Sequence, residues 1–197
     1  MSNFNKAIAA LLFVATTAQM TTIDDVVYEF IKMPHWTTEG NPVDIISVYI
    51  IEYDVDHDNE PDLLVSSPEK YDSKQYRDFL PWRICLKTQD GNYVWQNIGV
   101  TFPPAELIAV TGVDGRMRYG YIRHYPEGQG VMPLEIDARG AMTTEGIRFI
   151  DSSAEDMEWL EEGRKAAQGL IRTYTPEDIA ALKARRNADA TTHVSPQ

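Results

Sequence analysis

The chain has 197 residues, 43% of them hydrophobic, enough for one domain with a sizeable core or for one domain with a helical tail. Its formal charge of −12, from 18 basic against 30 acidic residues, argues against nucleic-acid phosphate or an anionic membrane as partner. The one cysteine, Cys85, excludes an intramolecular disulfide, and its strand-like setting Trp82-Arg-Ile-Cys-Leu suits a buried, inert thiol.

Residues 1–18 have the pattern of a signal peptide. Lys6 supplies the charged start, Ala7 to Ala15 the apolar centre, and Thr16-Thr17-Ala18 a small-residue cleavage site before Gln19. The run is too short to span a bilayer. Cleavage would leave 17 basic and 30 acidic residues, a charge of −13, with no later segment able to cross a membrane. The expectation is a periplasmic or secreted protein, and an exported chain without a disulfide has reason to use a bound metal as its staple. Thr22 and Asp25 then form a capping box, and Ile23, Val26, Val27, Phe30 and Ile31 follow helical spacing until Pro34 ends the helix.

From Val43 to Tyr53 the chain is β-branched and aromatic, and Leu63-Leu64-Val65 resumes that character after an acidic loop. Pro61 restrains Glu60 to an extended shape, so the loop joins two strands. Hard cations such as calcium take roughly six to eight oxygen ligands, and one short loop supplies most of them when acids at positions 1, 3 and 5 turn inward and a carbonyl follows at 7. Counting from Asp54, these are Asp54, Asp56, Asp58 and the Glu60 carbonyl, with Asp62 at position 9. Packed carboxylates repel one another unless a cation neutralises them. Position 12 is Val65, so the bidentate Glu that closes an EF-hand is absent.

Asp54-Val-Asp-His-Asp-Asn-Glu-Pro-Asp-Leu-Leu-Val resembles the calcium loop of FG-GAP/VCBS-type repeats, over about a dozen residues. Asn59 stands where that family has Gly. The resemblance implies structural Ca2+ held by Asp54, Asp56, Asp58, the Glu60 carbonyl and Asp62, with His57 pointing outward.

Pro68 to Phe79 is a polar surface loop. Further strands follow at Pro81–Thr88 and Asn92–Ile98, joined by a hairpin at Asp90-Gly91, until Phe102-Pro103-Pro104 breaks the pattern. Glu106–Thr111 and Met117–His124 pair across Asp114-Gly115. A turn at Gly128–Gly130 leads to Val131–Asp137, and the last strand lies around Gly146–Ile150. The fold expected is mainly β (α+β), an antiparallel meander of about eight strands over residues 19–150. That is too few for a closed propeller, which needs at least about four four-stranded blades.

The aromatic residues at Tyr93/Trp95 and Tyr119/Tyr121 suit cross-strand packing better than a ligand groove. After Ile150, Ser153 caps one helix and Thr175-Pro176 starts another, giving a helical hairpin over 151–186 packed on the sheet. A disordered tail is expected over 187–197. No P-loop, dinucleotide fingerprint, zinc spacing or nucleophile elbow is present. The function expected is therefore non-enzymatic: an exported calcium-binding protein that acts by binding a protein or glycan, an inhibitor or immunity-type protein being one form. The alternative is a small calcium-stabilised hydrolase, which a pocket holding His124 beside a carboxylate would favour.

Overall fold

Two antiparallel sheets and three helices make up the described part of this molecule. The computed structural model describes residues 19–35, 42–70, 80–111, 115–137, 139–143 and 148–192. In chain order the elements are α1 (Ile23–Lys32), β1 (Val48–Tyr53), β2 (Asp62–Ser66), β3 (Leu80–Lys87), β4 (Tyr93–Phe102), β5 (Leu107–Thr111), β6 (Met117–Tyr125) and β7 (Gly128–Pro133). After these come β8 (Arg148–Ile150), α2 (Ala154–Ala167), β9 (Ile171–Tyr174) and α3 (Pro176–Thr192). Short 3-10 turns lie at Pro68–Lys70 and Pro104–Glu106.

The strands form two antiparallel sheets. The first has the order β4-β3-β2-β1-β9 and the second β5-β6-β7-β8, so each is a four-strand meander, extended in the first by β9 beside β1. The fold is mainly β with helices near both ends, and neither sheet closes into a barrel.

Successive residues of β1 and β2 go to opposite layers. Ile50, Leu63, Val65 and Cys85 pack with Val26, Val27 and Phe30 of α1 and with Ile179 and Leu182 of α3. Ile51, Leu64, Trp82, Ile84 and Phe102 face the second sheet and meet Leu107, Ala109 and Leu134 there. On the far side of the second sheet, Ile108, Val110, Ile122, Val131 and Ile150 pack on Leu160 of α2. The result is four layers: α1 with α3, first sheet, second sheet, α2. This arrangement explains why all of β2 is buried and why its central Leu63-Leu64-Val65 is apolar on both faces. Gly163 lets α2 sit close on β5, since a Cβ there would lie 3.3 Å from that of Ile108.

The α1 capping box forms as its sequence dictates. Thr22 accepts from the Asp25 N–H, and the Asp25 carboxylate accepts from the Thr22 N–H at 2.8 Å. Ser153 caps α2 in the same manner, accepting from the Asp156 N–H. Three details differ from the sequence expectations. The two C-terminal helices are not a hairpin: Ile171–Tyr174 between them is a strand, and α2 and α3 belong to opposite outer layers. Residues 187–192, expected in the tail, continue α3. The turn between β6 and β7 is at Pro126-Glu127, and Gly128–Gly130 opens β7. The expected signal peptide at 1–18, most of the polar loop before Phe79 and the last five residues lie outside the described residues.

Candidate metal centre

The hairpin of β1 and β2 has its last paired residues at Tyr53 and Asp62, and the acidic loop lies between them. Its turns are made by the acids themselves. Asp54 accepts the N–H groups of Asp58 at 3.1 Å and Asn59 at 3.0 Å, one on each carboxylate oxygen. Asp56 accepts from the Asp58 N–H at 3.3 Å, and Asp58 from the Glu60 N–H at 2.9 Å. His57 and Asn59 take the left-handed conformation, with φ of 64° and 72°, which Asn and His tolerate better than most residues. Coiled in this way, the loop brings one oxygen each of Asp54, Asp56 and Asp58 within 4.8 Å of one another.

The electrostatics of the cluster favour a cation. Burial raises the Asp56 carboxyl above its ordinary range, and the charges of Asp58 and Asp54 push it in the same direction, against the N–H that Asp56 accepts from. Hard oxygen donors in mutual repulsion fit a hard divalent ion.

Asp62 is placed differently from the other three. It is fully buried, and both of its oxygens are taken by backbone donors, the Val55 N–H at 2.9 Å and the Lys87 N–H at 2.8 Å. Burial raises its carboxyl to about 6, assisted by the charges of Asp56 and Asp54 and opposed by the two N–H donors. The Glu60 side chain turns to β3, where its Oε2 accepts from Lys87 Nζ at 2.7 Å.

The groups that anchor the loop lie far from it along the chain. Lys87 arrives through the pairing of β3 with β2. Val55 is buried and its carbonyl accepts from the Ile136 N–H, just beyond β7, at 2.8 Å. The His57 ring lies 3.5 Å from Glu135, which Arg118 of β6 also approaches at 3.8 Å. The loop therefore bridges the two sheets.

The histidine named for the hydrolase alternative has a carboxylate neighbour. His124 Nε2 lies 3.4 Å from Glu106, and the other Glu106 oxygen accepts from Arg164 of α2 at 3.1 Å. The His124 side chain is half exposed. The nearby cavity, about 350 Å³, is lined by Pro104, Leu107, Glu161, Arg164 and Ile171 rather than by His124. Cys85 is buried, its thiol pushed up to about 12 by burial, and is no nucleophile.

The aromatic strand residues pack. Tyr119 stacks on Tyr53 at 4.5 Å and Tyr121 on Phe102 at 5.0 Å between the sheets, while Tyr93 and Trp95 join the helix-facing core. No helix among the described residues is long and apolar enough to cross a membrane. Comparison with family models, with curated proteins and with solved structures gave no match to this chain.

Proposed function

We propose that this is an exported, non-enzymatic calcium-binding protein in which one ion in the β1–β2 loop has a structural role, and that it acts by binding a protein or glycan. The observation that carries the reading is the gathering of the Asp54, Asp56 and Asp58 oxygens within 4.8 Å, in a loop bonded to both sheets. Ca2+ would supply charge neutralisation there, with the Glu60 carbonyl and Asp62 as the remaining donors named by the sequence. The loop contributes rigidity, and its acids are engaged with backbone N–H groups rather than poised for proton transfer. An inhibitor or immunity-type role is the form of binding that best suits a small, acidic, exported chain.

Thermal melting with calcium, with magnesium and with chelator tests the site, beside Asp54→Ala. Anything that binds only the folded state stabilises it by mass action, about 2.7 kcal/mol at a hundredfold excess over Kd, and so raises Tm. A calcium-specific rise is expected in the parent protein and not in the variant. No shift in either would overturn the reading.

One observation favours the second reading, a small calcium-stabilised hydrolase: His124 beside Glu106. Turnover of an ester, peptide or glycoside substrate that disappears in His124→Ala with Tm unchanged would favour it over the binding role.

A further inference from the structure

We propose that the outer edge of β4 is a self-association surface, on which a second copy of this chain pairs its own β4 antiparallel across a two-fold axis. The sheet edges are β4 and β9 in the first sheet and β5 and β8 in the second. All of β5 except Thr111 is buried, β8 has three residues and begins with Arg148, and β9 has four and contains Arg172. At ten residues β4 is the longest described strand, and Tyr93-Val-Trp-Gln-Asn-Ile-Gly-Val-Thr-Phe holds no charge and no proline. Charged residues and proline are what commonly blunt an edge against pairing, so this edge is left open to a further strand.

Three hydrogen bonds fix which backbone groups face outward. The Tyr93 N–H donates away from the sheet, to the Met20 carbonyl at 2.7 Å. On β3, the Lys87 N–H donates to Asp62 of β2 at 2.8 Å, and the Pro81 carbonyl accepts from Ser66 of β2 at 2.8 Å. Backbone groups alternate along a ladder, so Arg83, between Lys87 and Pro81, faces β2 as well. The β4 partners of Arg83 and Pro81 are Gly99 and Thr101, which therefore turn their N–H and C=O to the open side. Met20 covers only the Tyr93 end. Gly99 and Thr101 are exposed, and their outward groups have no partner among the described residues.

The free run selects its own duplicate as occupant. It extends over residues 98–102, between the register irregularity opposite Ile84 and Pro103. A two-fold axis at Val100 sets Gly99 against Thr101 of the second copy, and Thr101 against its Gly99, so that the outward groups satisfy one another. Ile98, Val100 and Phe102 already belong to the inter-sheet core, and the pairing continues that apolar row across the axis. On the other face Gly99 must stay bare, because a Cβ there would lie 2.5 Å from the Trp82 carbonyl oxygen. The bare position leaves room for the threonine opposite. Charge points the same way: two copies of net charge −12 repel, and this strand brings none of their charged side chains into opposition.

Analytical ultracentrifugation over a concentration series, together with amide hydrogen exchange, tests the surface. A monomer–dimer equilibrium is expected, with exchange at the Gly99 and Thr101 N–H groups slowing as the dimer fraction grows. Thr101→Pro removes an outward N–H and no bond of the β3–β4 ladder, so it should weaken dimerisation at least about tenfold in a folded protein. Met157→Lys, at an exposed position of α2, should leave dimerisation unchanged. A chain that stays monomeric up to about 1 mM would leave the edge to some other strand and overturn the inference. A dimer with Gly99 and Thr101 unprotected, or one equally strong in folded Thr101→Pro, would overturn it too. Should Thr101→Pro fail to fold, exchange at the two amides of the parent protein decides. None of these readouts depends on calcium, so the metal site stands or falls separately.

Discussion

Asp62 is fully buried at the foot of the acidic loop, with both carboxylate oxygens accepting from backbone N–H groups. Its neighbours in sequence suggest a ligand, and its structural partners are backbone N–H groups of Val55 in the loop and Lys87 in β3. Its folded carboxyl, raised to about 6 from the ordinary 3.8, sits above its value in the unfolded chain. Folding therefore favours the protonated acid. In metal-free protein the contribution is fully present below about pH 3.8 and is lost as pH rises through about 6. Melting in chelator should show Tm falling between pH 4 and pH 7, on the order of 2 kcal/mol or about 4–8 °C for a chain of this size. Asp62→Asn should flatten that slope. Saturating calcium should flatten it too, since the ion favours the ionised carboxylate; a slope unchanged by both would place its origin elsewhere.

At the scale of elements, what was legible in the sequence is what short-range chemistry decides. The capping box of α1, the hairpin at Asp90-Gly91 and the joining of two strands by the acidic loop are set by residues within a few positions of one another, and each forms as expected. Ile171–Tyr174 is different. Four residues flanked by helices carry little periodicity, and they are a strand only because β1 offers an open edge. Gly128–Gly130 misled for a related reason: two glycines suggest a turn, but here they make room for rings on a strand. The α1–α3 contact is likewise a long-range matter. Asp24 accepts from Tyr174 at 2.7 Å and from Arg185 at 2.9 Å, and Asp25 pairs with Arg186. Burial raises the Asp25 carboxyl, but the Thr22 hydroxyl, the N–H groups of Thr21 and Thr22, and Arg186 outweigh it and hold the group down at about 2. A folded value below the unfolded one contributes stability that is present above about pH 3.8 and lost as pH falls through about 2. Asp25→Ala should cost about 1–2 kcal/mol at pH 7 by loss of the cap and the ion pair, and the cost should shrink in acid. Denaturant melts at pH 7 and pH 2.5 check both statements.

On the scale of the whole molecule, the acidic loop sits where two sheets must be held in register. Trp82, Phe102 and Tyr121 form a stack between them, and the Trp82 indole N–H donates to the Phe102 carbonyl at 3.1 Å. That core is apolar and carries little directional information. Direction comes from polar contacts at the loop: Val55 receives the Ile136 N–H, and His57 faces Glu135. The carboxyl of Asp62 in turn holds the Val55 N–H, so one residue of the loop is fastened through both of its peptide groups. Ordering of Asp54, Asp56 and Asp58 by an ion would stiffen Val55, and Val55 would stiffen Ile136, which follows β7 of the other sheet. Amide hydrogen exchange reads this directly, because protection reports the local opening free energy. Calcium should slow exchange at the Val55 and Ile136 N–H groups together, and Asp54→Ala should abolish both effects. Slowing at Val55 alone would mean that the loop is ordered without carrying that order across, and the bridge between the sheets would then rest on apolar packing.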